Sequence, residues 1–381
     1  MQFSDIIGQE KVKKHLIQTV SENRVSHAQL FLGPEGSGNL ALALAYAQYI
    51  SCEDRQPADS CGHCSSCRKY GKLIHPDLHF SYPFFAKHKE DTALDFLPEW
   101  RKAFLGNPYL NLNEWRAQFD AENKQANINI AECHQIIHKL SLKPFESEYK
   151  ILIMWLPEYL DKEGNTLLKI IEEPAQKTVF LLVAQNQDQL LNTILSRTQL
   201  VKIPRLSENE IKQHLIEQKG ASETKATHIA YLSEGNLQVA LLFLNTEEND
   251  QFNLFSSWMR MTTTDKGSQM IDFVDHAAKM GRENQKHFLK YGIQLIRESI
   301  LILSGVPDLV HLPSPELDFI TKFSNFISLN QAQAIIDTLE KAHYHIERNA
   351  NPKILFLDVS LRFVSILKFN SLPQGTQYIS T

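Results

Sequence analysis

No apolar run in this 381-residue sequence approaches the roughly 20 residues that would span a bilayer, and its start, MQFSDIIGQEKVKKHL, lacks the charged-then-apolar order of a signal peptide. A cytoplasmic protein with no membrane partner is the expectation. Excess positive charge is missing as well. The net charge of −5 gives a field that repels a phosphate backbone, which argues against tight autonomous DNA binding but leaves room for a local basic patch. Glycine and proline are modest, at 15 each, and with 43% hydrophobic and 22% charged residues the chain reads as an ordinary folded protein rather than a disordered or fibrous one. Cysteine is scarce. The five present do not read as disulfides in a reducing compartment, and four of them cluster tightly.

The length exceeds what one hydrophobic core normally serves, so two or three domains are expected. In the first half, short apolar runs alternate with helical patterns, which predicts an α/β domain with a helix-covered parallel sheet. Gln29 to Leu32 reads as a buried strand leading into Gly33, and Asn39 to Ile50 as the Ala/Leu-rich helix that follows. Lys150 to Leu156 and Thr178 to Ala184 are too continuously apolar for half-exposed strands. Between them Asn165 to Glu173 reads as a helix stopped by Pro174, and Gln199 to Ile203 as a last strand before Pro204. The remainder is helical in pattern. Ser207 and Glu210 form a capping box, Gly220 is a helix stop, and Thr246 to Gln251 is a polar break. The expected division is an α/β domain over 1–204, a small helical domain over 205–246 and an all-helical domain over 247–381. Ser81 to Gln125 is long for a connection and carries Trp100 and Trp115; it reads as an insertion with short helices near Leu97 to Phe104 and Leu112 to Phe119. A surface elaboration packed by its own aromatics and a partner-binding surface are both open readings of it.

The segment Gly33 to Leu40, GPEGSGNL, lies between strand and helix as a phosphate-binding loop does. In an active loop of this kind backbone N–H groups cradle phosphates, a lysine reaches the terminal phosphate and a hydroxyl holds Mg²⁺. Gly33, Gly36 and Gly38 keep the turn, but the lysine position is Asn39 and the hydroxyl position is Leu40. A glycine turn that never touched phosphate is the bland alternative. Magnesium-dependent ATPases also end a later strand in acidic residues, whereas KILIMWLPEYL offers only Glu158, beyond Pro157. No ATP hydrolysis by this chain is expected.

Cys52, Cys61, Cys64 and Cys67 supply two C-x2-C hairpins sharing Cys64, the arrangement that aims several sulfurs at one point. Structural zinc is the expected cofactor, an iron–sulfur cluster the competing one, with His63 a bystander. Cys133, on an amphipathic helix from Ile130 to Leu140, reads as a small buried hydrophobe. Ser196-Arg197 precedes the last strand. It is either a solvated charge or an arginine finger presented to a neighbouring subunit's ATP.

Together these residues resemble the clamp-loader branch of the AAA+ ATPases, and within it the delta-prime family of bacterial DNA polymerase III subunits, over nearly the whole chain. The resemblance is carried by Asp5-Ile6-Ile7-Gly8-Gln9-Glu10, by Arg24-Val25-Ser26-His27-Ala28, by the cysteine spacing with His75-Pro76-Asp77, and by the run Asn165 to Pro174, close to the family's NALLKTLEEP. Ser196-Arg197-Thr198 stands where the family has Ser-Arg-Cys, and Glu347 to Pro352 is similar to its collar domain. The resemblance implies that Arg197, with Ser196, acts in trans on a motor subunit's ATP. It also places the family's acidic pair at Met154 and Trp155, and its sensor-two arginine at Gln238, so three nucleotide-contacting elements are absent. The implied role is a non-hydrolysing stator in a hetero-pentamer with gamma/tau and delta subunits, serving the sliding clamp and primer-template DNA through the assembled complex. An active gamma/tau-like ATPase and a zinc-bearing nucleic-acid-binding module are the alternatives.

Overall fold

The computed structural model describes residues 1–119, 125–245, 248–264, 267–310, 312, 314–348 and 350–371. Residues 120–124 of the expected insertion, 246–247 of the expected polar break, Asn349 of the collar-like motif and the tail 372–381 lie outside them. The chain divides into two compact units, 1–220 with 233–238, and 221–232 with 239–381.

The first unit is built on a five-stranded sheet: β1 (Ala28–Leu32), β2 (Leu78–Ser81), β3 (Lys150–Trp155), β4 (Thr178–Ala184) and β5 (Gln199–Lys202). The spatial order is β2-β3-β4-β1-β5 and every pairing is parallel. In β3 and β4 no residue is exposed, because helices cover both faces. Successive residues alternate between two cores. Ile151, Ile153 and Trp155 face one with Phe31, while Leu152 and Met154 face the other with Leu30 and Phe180. The helix Asn39–Ser51 lies on the first face and is buried along its whole length, as its Ala/Leu composition requires. The helix Ile130–Ser141 covers the second face through Cys133, Ile136 and Leu140.

Three details differ from expectation. β2 is an additional strand at the sheet edge, pairing Leu78 to Ser81 with Ile151 to Met154. The insertion is not a surface elaboration. Its aromatics join the main core: Trp100 and Trp115 are fully buried, Tyr82 stacks on Trp100 at 4.1 Å, and Trp100 meets Trp155 of β3 at 5.3 Å. The helix expected over Asn165 to Glu173 is a 3-10 stretch, Pro157–Leu167, followed by the short α-helix Leu168–Glu172. Asp161, at φ +46°, is a kink that splits the 3-10 stretch in two ahead of the expected helix, and at the adjoining Gly164 a Cβ would stand 3.1 Å from both Ile194 and Leu191.

The capping box at Ser207 and Glu210 forms as expected, and Gly220 ends that helix at φ +68°. No strand follows Lys202 among the described residues. The second unit is helical around Trp258, which stacks on Phe273 at 4.7 Å and donates its indole N–H to Ser360 Oγ at 2.9 Å. Within that unit Gly292 lets the helix Arg282–Leu303 approach Phe255, where a Cβ would stand 2.4 Å from the ring. Among the described residues no helix is long and apolar enough to cross a membrane.

Candidate functional site

β1 delivers the chain to Gly33, whose N–H donates to Ala184 O at 3.1 Å, so the glycine loop is anchored to the end of β4. Gly36 and Gly38 adopt φ of +75° and +85°, as a cradle turn needs. Asn39 opens the buried helix. Its carboxamide N–H₂ donates to Gly33 O at 3.0 Å and Ala184 O at 3.3 Å, and its Oδ1 accepts the Leu40 N–H at 2.9 Å. The Asn39 carboxamide is thus taken up by the backbone of the loop and of the end of β4. Leu40 points into the core. Gln9 braces the loop from the N-terminal segment, donating to Ser37 O and Pro204 O.

Other parts of the same unit close on this loop. A Cβ on Gly38 would stand 2.9 Å from the Tyr109 ring, and one on Gly36 would stand 2.0 Å from Asn236 Oδ1. Tyr109 Oη accepts the Ile7 N–H at 3.0 Å, and burial pushes this hydroxyl up to about 12, so it stays neutral. Gln238 Nε2 donates to Tyr109 O at 2.6 Å. The Leu237 N–H donates to Gly36 O at 3.3 Å.

At the end of β3, Met154 and Trp155 are buried hydrophobes in the two faces of the sheet. Glu158 accepts the N–H groups of Gln185 and Asn186 at 2.6 and 2.9 Å, which fixes it to the chain beyond β4. Burial raises its pKa against the pull of those donors.

Arg197 lies beyond the short helix Asn192–Leu195, on the turn into β5. Its Nε meets Glu172 Oε2 at 3.0 Å, and its Nη1 donates to Thr193 O and to Ser196 Oγ. The arginine side chain keeps 32% of its surface exposed and Glu172 keeps 57%, so the guanidinium is held at the surface by a solvated pair. Thr198 donates back to the Ile194 and Leu195 carbonyls and packs as a turn residue.

The four cysteines converge, with the Sγ atoms of Cys52, Cys61, Cys64 and Cys67 all within 4.8 Å of one another. Sulfurs at about 2.3 Å from a tetrahedral metal stand about 3.8 Å apart; Cys61 and Cys67 are 3.9 Å apart. The N–H groups of Cys61, Cys64 and Cys67 donate to Cys52, Cys61 and Cys64 sulfurs respectively, each at 3.3 Å, which supports thiolate character. Burial pushes the Cys52 and Cys67 thiols up, whereas at Cys61 it is outweighed by the N–H groups of Cys64 and His63, which draw that thiol down to about 6. The donor set fits a closed zinc site with no open position. His63 is outside this group; it is exposed and lies near exposed Asp54 and half-buried Cys61. Cys133 is buried apart, beside Glu163 O. His75 and Asp77 shape a turn: the Asp77 carboxylate accepts the N–H groups of Phe145, Glu146 and Ser147.

The sequence does not single out Tyr109, whereas Asn236 lies in the run that places Gln238 at the sensor-two position. For Glu172 a signal existed, since it belongs to the motif run before Pro174. Tyr109 carries no charge and no motif, and its partners lie 102 and 129 residues away.

A family model described as DNA polymerase III, delta subunit, matches residues 8–207, the stretch that holds the loop, the cysteines and Ser196-Arg197. The tau/gamma subunit of DNA polymerase III from Haemophilus influenzae is 26% identical over 214 residues, 56% of this chain and 25% of that protein. The DNA polymerase III delta' subunit of Bacillus subtilis is 26% identical over 244 residues, 64% of this chain and 60% of that protein. The tau subunit of the same organism is 22% identical over 379 residues, 93% of this chain and 60% of its own length. The chain spans between 25% and 60% of these relatives.

Proposed function

Since the chain belongs to the DNA polymerase III delta-subunit family, we propose that it is the delta-prime-like stator of a bacterial clamp loader. It hydrolyses no ATP. It presents Arg197, steadied by Ser196, to the ATP of an adjoining motor subunit. The observation that carries this reading is Asn39: at the lysine position stands an amide tied to Gly33 O and Ala184 O. Met154, Trp155 and Gln238, in place of an acidic pair and an arginine, support it.

In this proposal the chain assembles with gamma/tau and delta subunits into a cytoplasmic hetero-pentamer that loads the sliding clamp on primer-template DNA. Residues 1–204 form the AAA+ part, 205–246 a lid and 247–381 a collar. Cys52, Cys61, Cys64 and Cys67 hold one zinc as a cross-link of the short loop they span, with no catalytic part. Elemental analysis should give zinc and no iron.

The test is ATP turnover. The isolated chain should show none with Mg–ATP. In a complex reconstituted with motor and delta subunits, Arg197→Ala should assemble normally yet slow the adjoining site by about 10³-fold or more. Turnover by the isolated chain would favour an active gamma/tau-like subunit, and an unchanged rate would make Arg197 a surface charge only.

A further inference from the structure

Gly36 and Gly38 leave loop backbone bare, which in a phosphate cradle lets oxygens of the ligand reach N–H groups. Here neither glycine is bare. The Tyr109 ring lies against Gly38 and the Asn236 carboxamide against Gly36, so closely that a Cβ on either glycine would overlap them. We propose that Tyr109 is the permanent occupant of this cradle: the insertion supplies an internal ligand that excludes nucleotide, independently of the missing lysine.

Tyr109 is held from several sides. Its hydroxyl accepts the Ile7 N–H, its carbonyl accepts Gln238 Nε2, and its N–H donates to Asn107 Oδ1 at 3.1 Å. Two residues on, Asn111 Nδ2 donates to Glu35 Oε1 of the loop at 3.3 Å, while Asn111 Oδ1 caps the next helix by accepting the Glu114 N–H. Asn236 is fixed by the Gln238 N–H donating to its Oδ1 at 2.9 Å. Tyr109 therefore ties three segments together, the N-terminal segment through its hydroxyl, the glycine loop through its ring and the 233–238 turn through its carbonyl. A side chain so anchored does not swing aside for a ligand at ordinary concentrations, and any fraction of open cradle scales the apparent affinity directly. The inference rests on the stator reading only in treating Gly33 to Leu40 as a nucleotide-type cradle; it concerns binding, whereas that reading stands or falls on hydrolysis and on Arg197.

The experiment restores the lysine and then removes the ring. Calorimetric titration of the full chain with Mg–ATP should detect no binding for the native protein or for Asn39→Lys. Asn39→Lys combined with Tyr109→Ala should bind at least about tenfold more tightly than Asn39→Lys alone, and Asn39→Lys with Tyr109→Phe, which keeps the ring, should behave like Asn39→Lys. Equal affinities with and without the ring, whether both bind or neither does, would overturn the proposal, as would micromolar binding by the native chain. Should the lysine variants not fold, hydrogen exchange in the native background decides: Tyr109→Ala should speed exchange of the loop amides from Gly36 to Leu40, and unchanged exchange would overturn the proposal. ATP turnover by the native chain in these titrations would speak against the stator reading instead.

Discussion

The glycine loop and the Arg197 edge belong to the same sheet, yet their polar groups face opposite ways. At the loop, the amide of Asn39 and the carbonyls of Gly33 and Ser37 are all engaged by the chain itself, in surroundings where Ser37 and Leu40 are nearly inaccessible. At the edge, Arg197 has a solvated carboxylate and short-range acceptors, and a third of its side chain remains open. A buried polar group that has found its partners is costly to redirect, whereas a surface ion pair contributes little and exchanges partners readily. The contrast separates a loop whose polar groups are taken up internally from an arginine held at the surface by a solvated pair.

Three substitutions sharpen that contrast. The largest effect belongs to the inward side: Trp115→Ala, which empties the aromatic cluster and the indole bond to Pro83 O, should destabilise the first unit by about 3–5 kcal/mol in urea unfolding. A loss under about 1 kcal/mol would return the insertion to the status of a surface elaboration, in the range of ordinary surface changes. Next, Asn39→Ala removes the carboxamide that donates to Gly33 O and, beside the Gly33 N–H, to Ala184 O, and should cost about 1–3 kcal/mol. The smallest belongs to the outward side. Glu172→Gln should change stability by no more than about 1 kcal/mol; a cost equal to that of Asn39→Ala would make Glu172–Arg197 a structural pin rather than a parked, exchangeable group.

The sheet was legible because β3 and β4 are uninterrupted apolar runs, and the loop because glycine at Gly36 and Gly38 marks backbone that few other residues adopt. The cysteines were legible from spacing alone, since short hairpins converge their sulfurs whatever surrounds them. β2 was not, because Leu78 to Ser81 is short and its partner in the sheet is Ile151 to Met154, some seventy residues on. The insertion looked polar because its buried aromatics are spaced irregularly: Tyr82, Trp100 and Trp115 meet only in three dimensions. The same holds for Tyr109, whose role depends on Ile7 and Gln238, and for the 3-10 stretch at Pro157–Leu167, where Asp161 kinks the chain ahead of the expected helix and Gly164 lies against Ile194 and Leu191.

The most direct test sets the two regions side by side in one assay: ATP turnover of a reconstituted complex built with either Asn39→Ala or Arg197→Ala in this chain. Turnover should be unchanged by Asn39→Ala and strongly reduced by Arg197→Ala. Loss of turnover with Asn39→Ala in a folded, assembled complex, with Arg197→Ala at the native rate, would contradict the division between a closed loop and an offered arginine.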